Sequence, residues 1–373
     1  MPRTAHRLGV LARAALGAMR GPRLRPAQPA KILVLHELLL GDTLMLAPLL
    51  AALRLRFPQA ALFVTAKPEI APLFAARPYG AQVLPYAERM AGAWAALAPA
   101  RGADLVLLPG ENRYVLQARA LGARWVVAFA GARPAWKDAL CDELLALPAR
   151  PTALADLFAL LSGVDEAQLR GLRHSPADWP APPAADYDAP GAPYAVLHVG
   201  AGSPLRLWED GKWRELAQAL EQRGIAPVWS AGPGEAQRVA GIDPQGRHRS
   251  YAGALDLAQL WRLLSGADML VTLDTGVAHL AKLAGVPTAA LFGPGSAQLF
   301  GRGEFWRDSA YAEVTVADFP CRDQRHLFKR ELEWVRRCNR SPAECPAARC
   351  MQGISVAQVL AALPARGRSA PLL

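Results

Sequence analysis

From Lys31 onward the chain alternates short, nearly continuous apolar runs with longer amphipathic stretches. The runs predict strands at Ile32–His36, Ala61–Ala66, Gln82–Pro85, Asp104–Pro109 and Trp125–Phe129. Between the first two lies Thr43–Phe57, whose Leu44, Pro48, Leu49, Ala52, Leu53 and Leu55 predict a helix packed on a sheet. Strands apolar on both faces and joined by helices belong to a parallel sheet covered on both sides. The rhythm stops at Ser175–Pro193, where six prolines exclude a helix or a central strand. It resumes with strands at Tyr194–Val199, Ala226–Ser230, Met269–Leu273 and Thr288–Phe292, and with helices at Trp213–Arg223, Leu257–Leu264 and Gly276–Leu283.

The pattern therefore predicts an α/β protein of two Rossmann-like, doubly wound parallel-sheet domains facing across a cleft. The expected boundaries are a leader over 1–30, a first domain over 31–174, a linker over 175–193 and a second domain over 194–373. A length of 373 residues fits two domains of ordinary size.

Composition changes this picture little: 52% of residues are hydrophobic and 20% charged, as in a globular protein. No stretch approaches the roughly 20 apolar residues of a membrane span. Charge adds more. The net charge is +10, and residues 1–31 hold seven Arg or Lys and no acid. Within them Leu8, Leu11, Ala12, Ala15 and Leu16 fall at helical spacing, so a basic amphipathic helix resting on anionic lipid stands beside a solvated leader. Arg13 interrupts what would be the apolar core of a secretory signal, and the five cysteines do not look like an extracellular disulfide framework. The expected address is the cytoplasm.

Candidate chemistry gathers where strands end. The strand Met269–Leu273 runs into Asp274-Thr275-Gly276 and at once into a helix that carries His279. Free N–H groups in a first helical turn suit a diphosphate; the alternative is that Asp274 or Thr275 simply caps the helix. The turn Phe292-Gly293-Pro294-Gly295 ends the next strand and lies on the same rim. After Tyr194–Val199 comes a glycine-rich turn with Gly200, Ser203 and Arg206, whose planar fork of donors suits phosphate. Glu235, in Ser230-Ala231-Gly232-Pro233-Gly234-Glu235, is placed to accept from ribose hydroxyls or to cap the following helix. In the first half, Asp42 follows the first strand and is either a general base toward an attacking hydroxyl or the N-cap of the next helix.

These segments, in this order, resemble glycosyltransferase family 9, the lipopolysaccharide heptosyltransferases and their relatives, from about Lys31 to the C-terminus. The marks are LLLGDTLMLAPLLAALRLRFPQA, HVGAGSPLRLWEDGKWRELAQAL, SAGPGE and TLDTGVAHLAKLAGVPTAALFGP. The resemblance implies a GT-B fold and an inverting transfer that needs no metal cofactor. The implied donor is an ADP-sugar, typically ADP-heptose, and the implied acceptor an anionic glycolipid or glycan at the inner face of the membrane. It implies Asp42 as base, Asp274, Thr275 and Gly276 with neighbouring His279 at the diphosphate, Arg206 at phosphate where many members carry Lys, and Glu235 at the ribose. Two features depart from the pattern: the loop His36-Glu37-Leu38-Leu39-Leu40 and the Arg-rich leader. A different nucleotide sugar, a protein acceptor, or a sugar-nucleotide epimerase on the same fold are the other functions considered. A nucleic-acid binder is disfavoured, because no aromatic-basic motif accompanies the pI of 9.7.

Cys321, Cys338, Cys345 and Cys350 are separated by sixteen, six and four residues. Four thiols so close invite a structural Zn or Fe site, with disulfides or free thiols as the alternatives. Arg322, Arg325, Lys329, Arg330, Arg336, Arg337 and Arg340 make the same stretch basic.

Overall fold

The apolar runs become strands in the computed structural model, which describes residues 24–191, 193–317 and 319–364. The amphipathic helix expected before residue 17 lies outside these. The chain divides into two compact units, Met1–Leu172 with His326–Trp334, and Arg173–Arg325 with Val335–Leu373.

The first unit holds a six-stranded sheet of β1 (Lys31–Val34), β2 (Ala61–Ala66), β3 (Gln82–Pro85), β4 (Leu105–Leu108), β5 (Trp125–Phe129) and β6 (Glu143–Leu145). Their order across the sheet is β3-β2-β1-β4-β5-β6, and every pair is parallel. Leu33, Val106 and Val126 are fully buried in its core. The single helix expected over Thr43–Phe57 is two, Leu40–Leu44 and Ala47–Arg56. Pro48 explains the break, since proline is accommodated in a first helical turn but not in an interior one.

The second unit repeats the plan with β7 (Tyr194–His198), β8 (Ala226–Ser230), β9 (Arg249–Ser250), β10 (Met269–Leu273), β11 (Thr288–Phe292) and β12 (Tyr311–Thr315). Their order is β12-β11-β10-β7-β8-β9, again all parallel. The helix Asp210–Glu221 buries Trp213, Leu216, Ala217 and Leu220, one face at helical spacing. Trp213 meets Trp208 edge to face at 5.0 Å. Burying each ring stabilises the unit by about 2–3 kcal/mol.

The proline-rich segment contributes only a short 3-10 turn, Pro176–Asp178, before fully buried Trp179. One segment departs from the expected boundaries. Residues His326–Trp334 belong to the first unit, although the sequence reading set them in the second domain. They form a two-stranded hairpin, β13 (His326–Leu327) and β14 (Arg330–Glu331), whose turn residues Phe328 and Lys329 both have positive φ. Arg330, only 5% exposed, holds it there. Its guanidinium donates to the carbonyls of Ala130 (2.7 Å), Phe129 (2.8 Å) and Phe328 (3.2 Å), and to Asn112 Oδ1 at 3.0 Å. Phe328 stacks on Phe158 with centroids 6.0 Å apart.

Candidate functional site

In each sheet the strand order reverses once, between β1 and β4 and between β7 and β10. Loops leaving neighbouring strands at such a reversal run in opposite directions and open a crevice at the carboxyl ends of the strands. In the second unit these loops carry Gly200–Arg206 and Asp274–His279. Arg206 spans them: its Nη1 donates to the Asp274 backbone carbonyl at 2.7 Å and lies 3.9 Å from Asp274 Oδ2.

The helix Gly276–Ala284 begins there with Thr275 as N-cap, yet no side chain caps it. Capping thus does not account for Asp274 or Thr275. Asp274 Oδ2, Thr275 Oγ1 and His279 Nδ1 are buried and have no hydrogen-bond partner among the described residues. Buried polar atoms are seldom left so in a folded protein unless a ligand or solvent completes them. Burial pushes the Asp274 carboxyl above its usual range, against the opposing charges of Arg206 and Lys282. The same burial, with Lys282 adding to it, holds His279 well below the usual imidazole range, so it is neutral. Thr275 and Gly276 remain half-buried at the mouth.

Glu235 occupies the N-cap position of the helix Ala236–Ile242 but does not cap it. Its carboxylate instead accepts from the N–H of Ala201 at 3.0 Å and of Gly232 at 2.7 Å, tying the loop after β7 to the loop after β8. Gly200 lies beneath this carboxylate, and a Cβ there would overlap Glu235 Oε2. Ser203, half-buried, opens the 3-10 turn Pro204–Arg206 that presents Arg206.

The two glycines after β11 separate in role. A Cβ on Gly293 would strike Met351 and come within 3.4 Å of Cys350 Sγ, so packing under the turn accounts for that glycine. A Cβ on Gly295 would overlap Asp274 Oδ2, which makes Gly295 the residue of this turn next to the acid.

At the β1/β4 reversal, Asp42 lies half-buried in the first turn of Leu40–Leu44, where Leu39 is the N-cap. Nearby, Glu37 Oε2 accepts from Tyr114 Oη at 3.0 Å and from the Glu88 N–H at 3.2 Å, and Arg113 also contacts the Tyr114 hydroxyl. His36 Nδ1 accepts from the Leu38 N–H at 3.1 Å, its buried Nε2 has no hydrogen-bond partner among the described residues, and burial lowers its pKa to about 3.

Cys321, Cys338, Cys345 and Cys350 stay near one another. All of them are free thiols, and among the described residues no three His, Cys, Asp or Glu side chains come together as metal ligands. Cys321 lies beside Cys338, and Cys350, buried against the Gly293 turn, still feels the thiols of Cys321 and Cys345. The sequence reading also missed Lys282 and Tyr311, which line the buried side of the Asp274 helix. A lysine in an amphipathic helix ordinarily signals an exposed face, so nothing local marked it.

Residues 133–333 match glycosyltransferase family 9 (heptosyltransferase). Lipopolysaccharide heptosyltransferase 1 of Pseudomonas aeruginosa is 34% identical over 142 residues, which are 37% of this chain and 37% of that protein. The chain therefore aligns with little more than a third of that relative's length. The fold matches the solved ADP-heptose lipopolysaccharide heptosyltransferase II of E. coli with a TM-score of 0.65 at 20% identity, covering 89% of this chain and 97% of the other. It also matches the iron-containing dodecameric glycosyltransferase TibC of enterotoxigenic E. coli with a TM-score of 0.53 at 17% identity, over 91% and 76% of the two chains. The architecture is GT-B.

Proposed function

Because the chain belongs to glycosyltransferase family 9, we propose that it transfers a heptose from ADP-heptose to a hydroxyl of a lipopolysaccharide core, with inversion at the anomeric carbon. Asp42 accepts the proton of the acceptor hydroxyl as its oxygen bonds to that carbon. The bond from the anomeric carbon to the diphosphate oxygen breaks on the opposite face, and ADP departs with the electron pair. The charge that develops on it is met by the N–H groups at Thr275–Gly276 and by Arg206. The ribose hydroxyls fall to Glu235, and Gly200 and Ser203 line the same turn.

The observation that carries the donor reading is the uncapped helix start beside Arg206, with Asp274 Oδ2 and Thr275 Oγ1 unpartnered. The lipopolysaccharide acceptor is drawn from the activity named for the curated relatives. On this proposal the reaction takes place at the cytoplasmic face of the inner membrane. No described helix is long and apolar enough to cross one.

Melting curves with ADP, UDP and GDP test the reading, since a ligand of the folded state raises the transition in proportion to its affinity. ADP is expected to stabilise most. A larger shift with UDP or GDP would reassign the donor, and no shift with any of them would remove the nucleotide site.

A further inference from the structure

The helix that opens the donor site carries a buried cation near its other end. Lys282 is 1% exposed. Positions 275, 279 and 282 share one helical stripe, and a helical side chain leans toward the helix start. The stripe therefore runs Thr275, His279, Lys282 beneath the mouth of the site. The Lys282 ammonium donates to the Gly301 carbonyl at 2.7 Å and lies over the rings of Trp306 (4.7 Å) and Tyr311 (4.9 Å). A methionine would fill the same volume without the cost of burying a charge.

The Lys282 charge is felt at the buried carboxyl of Asp274, which is 5% exposed and lies 3.9 Å from Arg206. Tyr311 senses both groups: its ring lies under Lys282, and its unpartnered hydroxyl feels the carboxylates of Asp274 and Glu313. With Asp274 and Arg206 alone, the formal charges beside the helix start cancel.

We propose that Lys282 is a positioning residue of the donor site, a buried countercharge to Asp274 that leaves the start of the helix net positive toward a diphosphate. It acts without touching the ligand. Lys282 stands six positions on from Gly276, about 9 Å along the axis. At that range, and at an effective dielectric of about 20, one unit charge changes the affinity for another by roughly tenfold. Adenosine, which carries no charge, should not sense it.

This rests on the nucleotide-diphosphate reading of the Asp274 turn, and calorimetric titration separates the two. The full-length chain is titrated with ADP and with adenosine, as wild type, Lys282→Met and Lys282→Arg. The expected result is an ADP affinity lowered about tenfold or more in Lys282→Met, adenosine affinity unchanged, and ADP binding restored in Lys282→Arg. Equal losses for ADP and adenosine would mean that Lys282 merely shapes the helix, and would overturn the proposal. An unchanged ADP affinity in Lys282→Met would overturn it too, while leaving the nucleotide site standing. Wild-type protein that binds neither ligand would overturn both. Should Lys282→Met not fold, the Lys282→Met/Asp274→Asn pair removes both charges together. Recovery of a folded, ADP-binding protein supports the pairing, and a pair that also fails to fold overturns it.

Discussion

Glu235 Oε2 fills the space that a Cβ on Gly200 would need, so glycine and carboxylate form one structural unit. Gly200→Ala is expected to displace the carboxylate from the Ala201 and Gly232 N–H groups and to cost about 1–3 kcal/mol. The clash is with the free end of a side chain, so the loss is that of two hydrogen bonds and not of the fold. Glu235→Ala should cost a similar amount, and the double variant little more than either. Urea unfolding of the three variants checks this. Additive losses would show that the two positions act separately.

Asp42→Asn should abolish transfer while ADP binds with unchanged affinity, the outcome expected of the proposed general base. Radiolabelled heptose transfer and calorimetry measure the two arms. An Asn variant with wild-type turnover would remove Asp42 from the chemistry.

Arg330 should behave as a structural anchor. Arg330→Met would strand the buried Asn112 Oδ1 and the carbonyls of Phe129 and Ala130, costing about 3–5 kcal/mol. Arg330→Lys should rescue little, since one ammonium cannot reproduce a planar fork reaching several acceptors. Chemical denaturation followed by Trp fluorescence reads both. Near-wild-type stability in either variant would contradict the anchor.

Two buried histidines predict how stability depends on pH. Burial lowers the pKa of His198 to about 4 and of His36 to about 3, so both are neutral in the folded protein. The unfolded chain takes up protons at these positions below about pH 6.5. Their contribution is therefore complete above that pH and is lost as the pH falls through 6.5 toward 4. For His198 the loss approaches about 3 kcal/mol. His198→Gln should flatten the acid side of a stability-against-pH curve between pH 6.5 and 4. An unaltered slope would show that His198 does not titrate between the two states.

Much of this was legible in the chain, and the failures share a cause. Ala61–Ala66, Gln82–Pro85, Trp125–Phe129, Ala226–Ser230, Met269–Leu273 and Thr288–Phe292 end where their apolar runs end. Three strands of the two large sheets were not foreseen, Glu143–Leu145, Arg249–Ser250 and Tyr311–Thr315; they are outermost, where one side is wet and polar residues interrupt the run. In the candidate site, residues that announce themselves by a local turn were visible: Asp274, Thr275, Arg206, Glu235. Lys282 and Arg330 were not, because their partners (Trp306 and Tyr311 for one, Asn112 and Phe129 for the other) come from distant parts of the chain. Local patterning reads a buried cation as a surface one until those partners are known.

The hairpin His326–Trp334 also sets the order in which the protein can be completed. The chain leaves the first unit after Leu172 and returns at His326. The ribosome must therefore make the whole second sheet before Arg330 exists to satisfy Asn112 and the carbonyls around it. The half made first is finished last, and a nascent chain stopped anywhere between the two crossings carries those polar groups uncovered. Cutting the proline-rich segment would leave His326–Trp334 covalently in the second unit's chain, held to the rest of the first unit by contacts such as those of Arg330 and Phe328 alone.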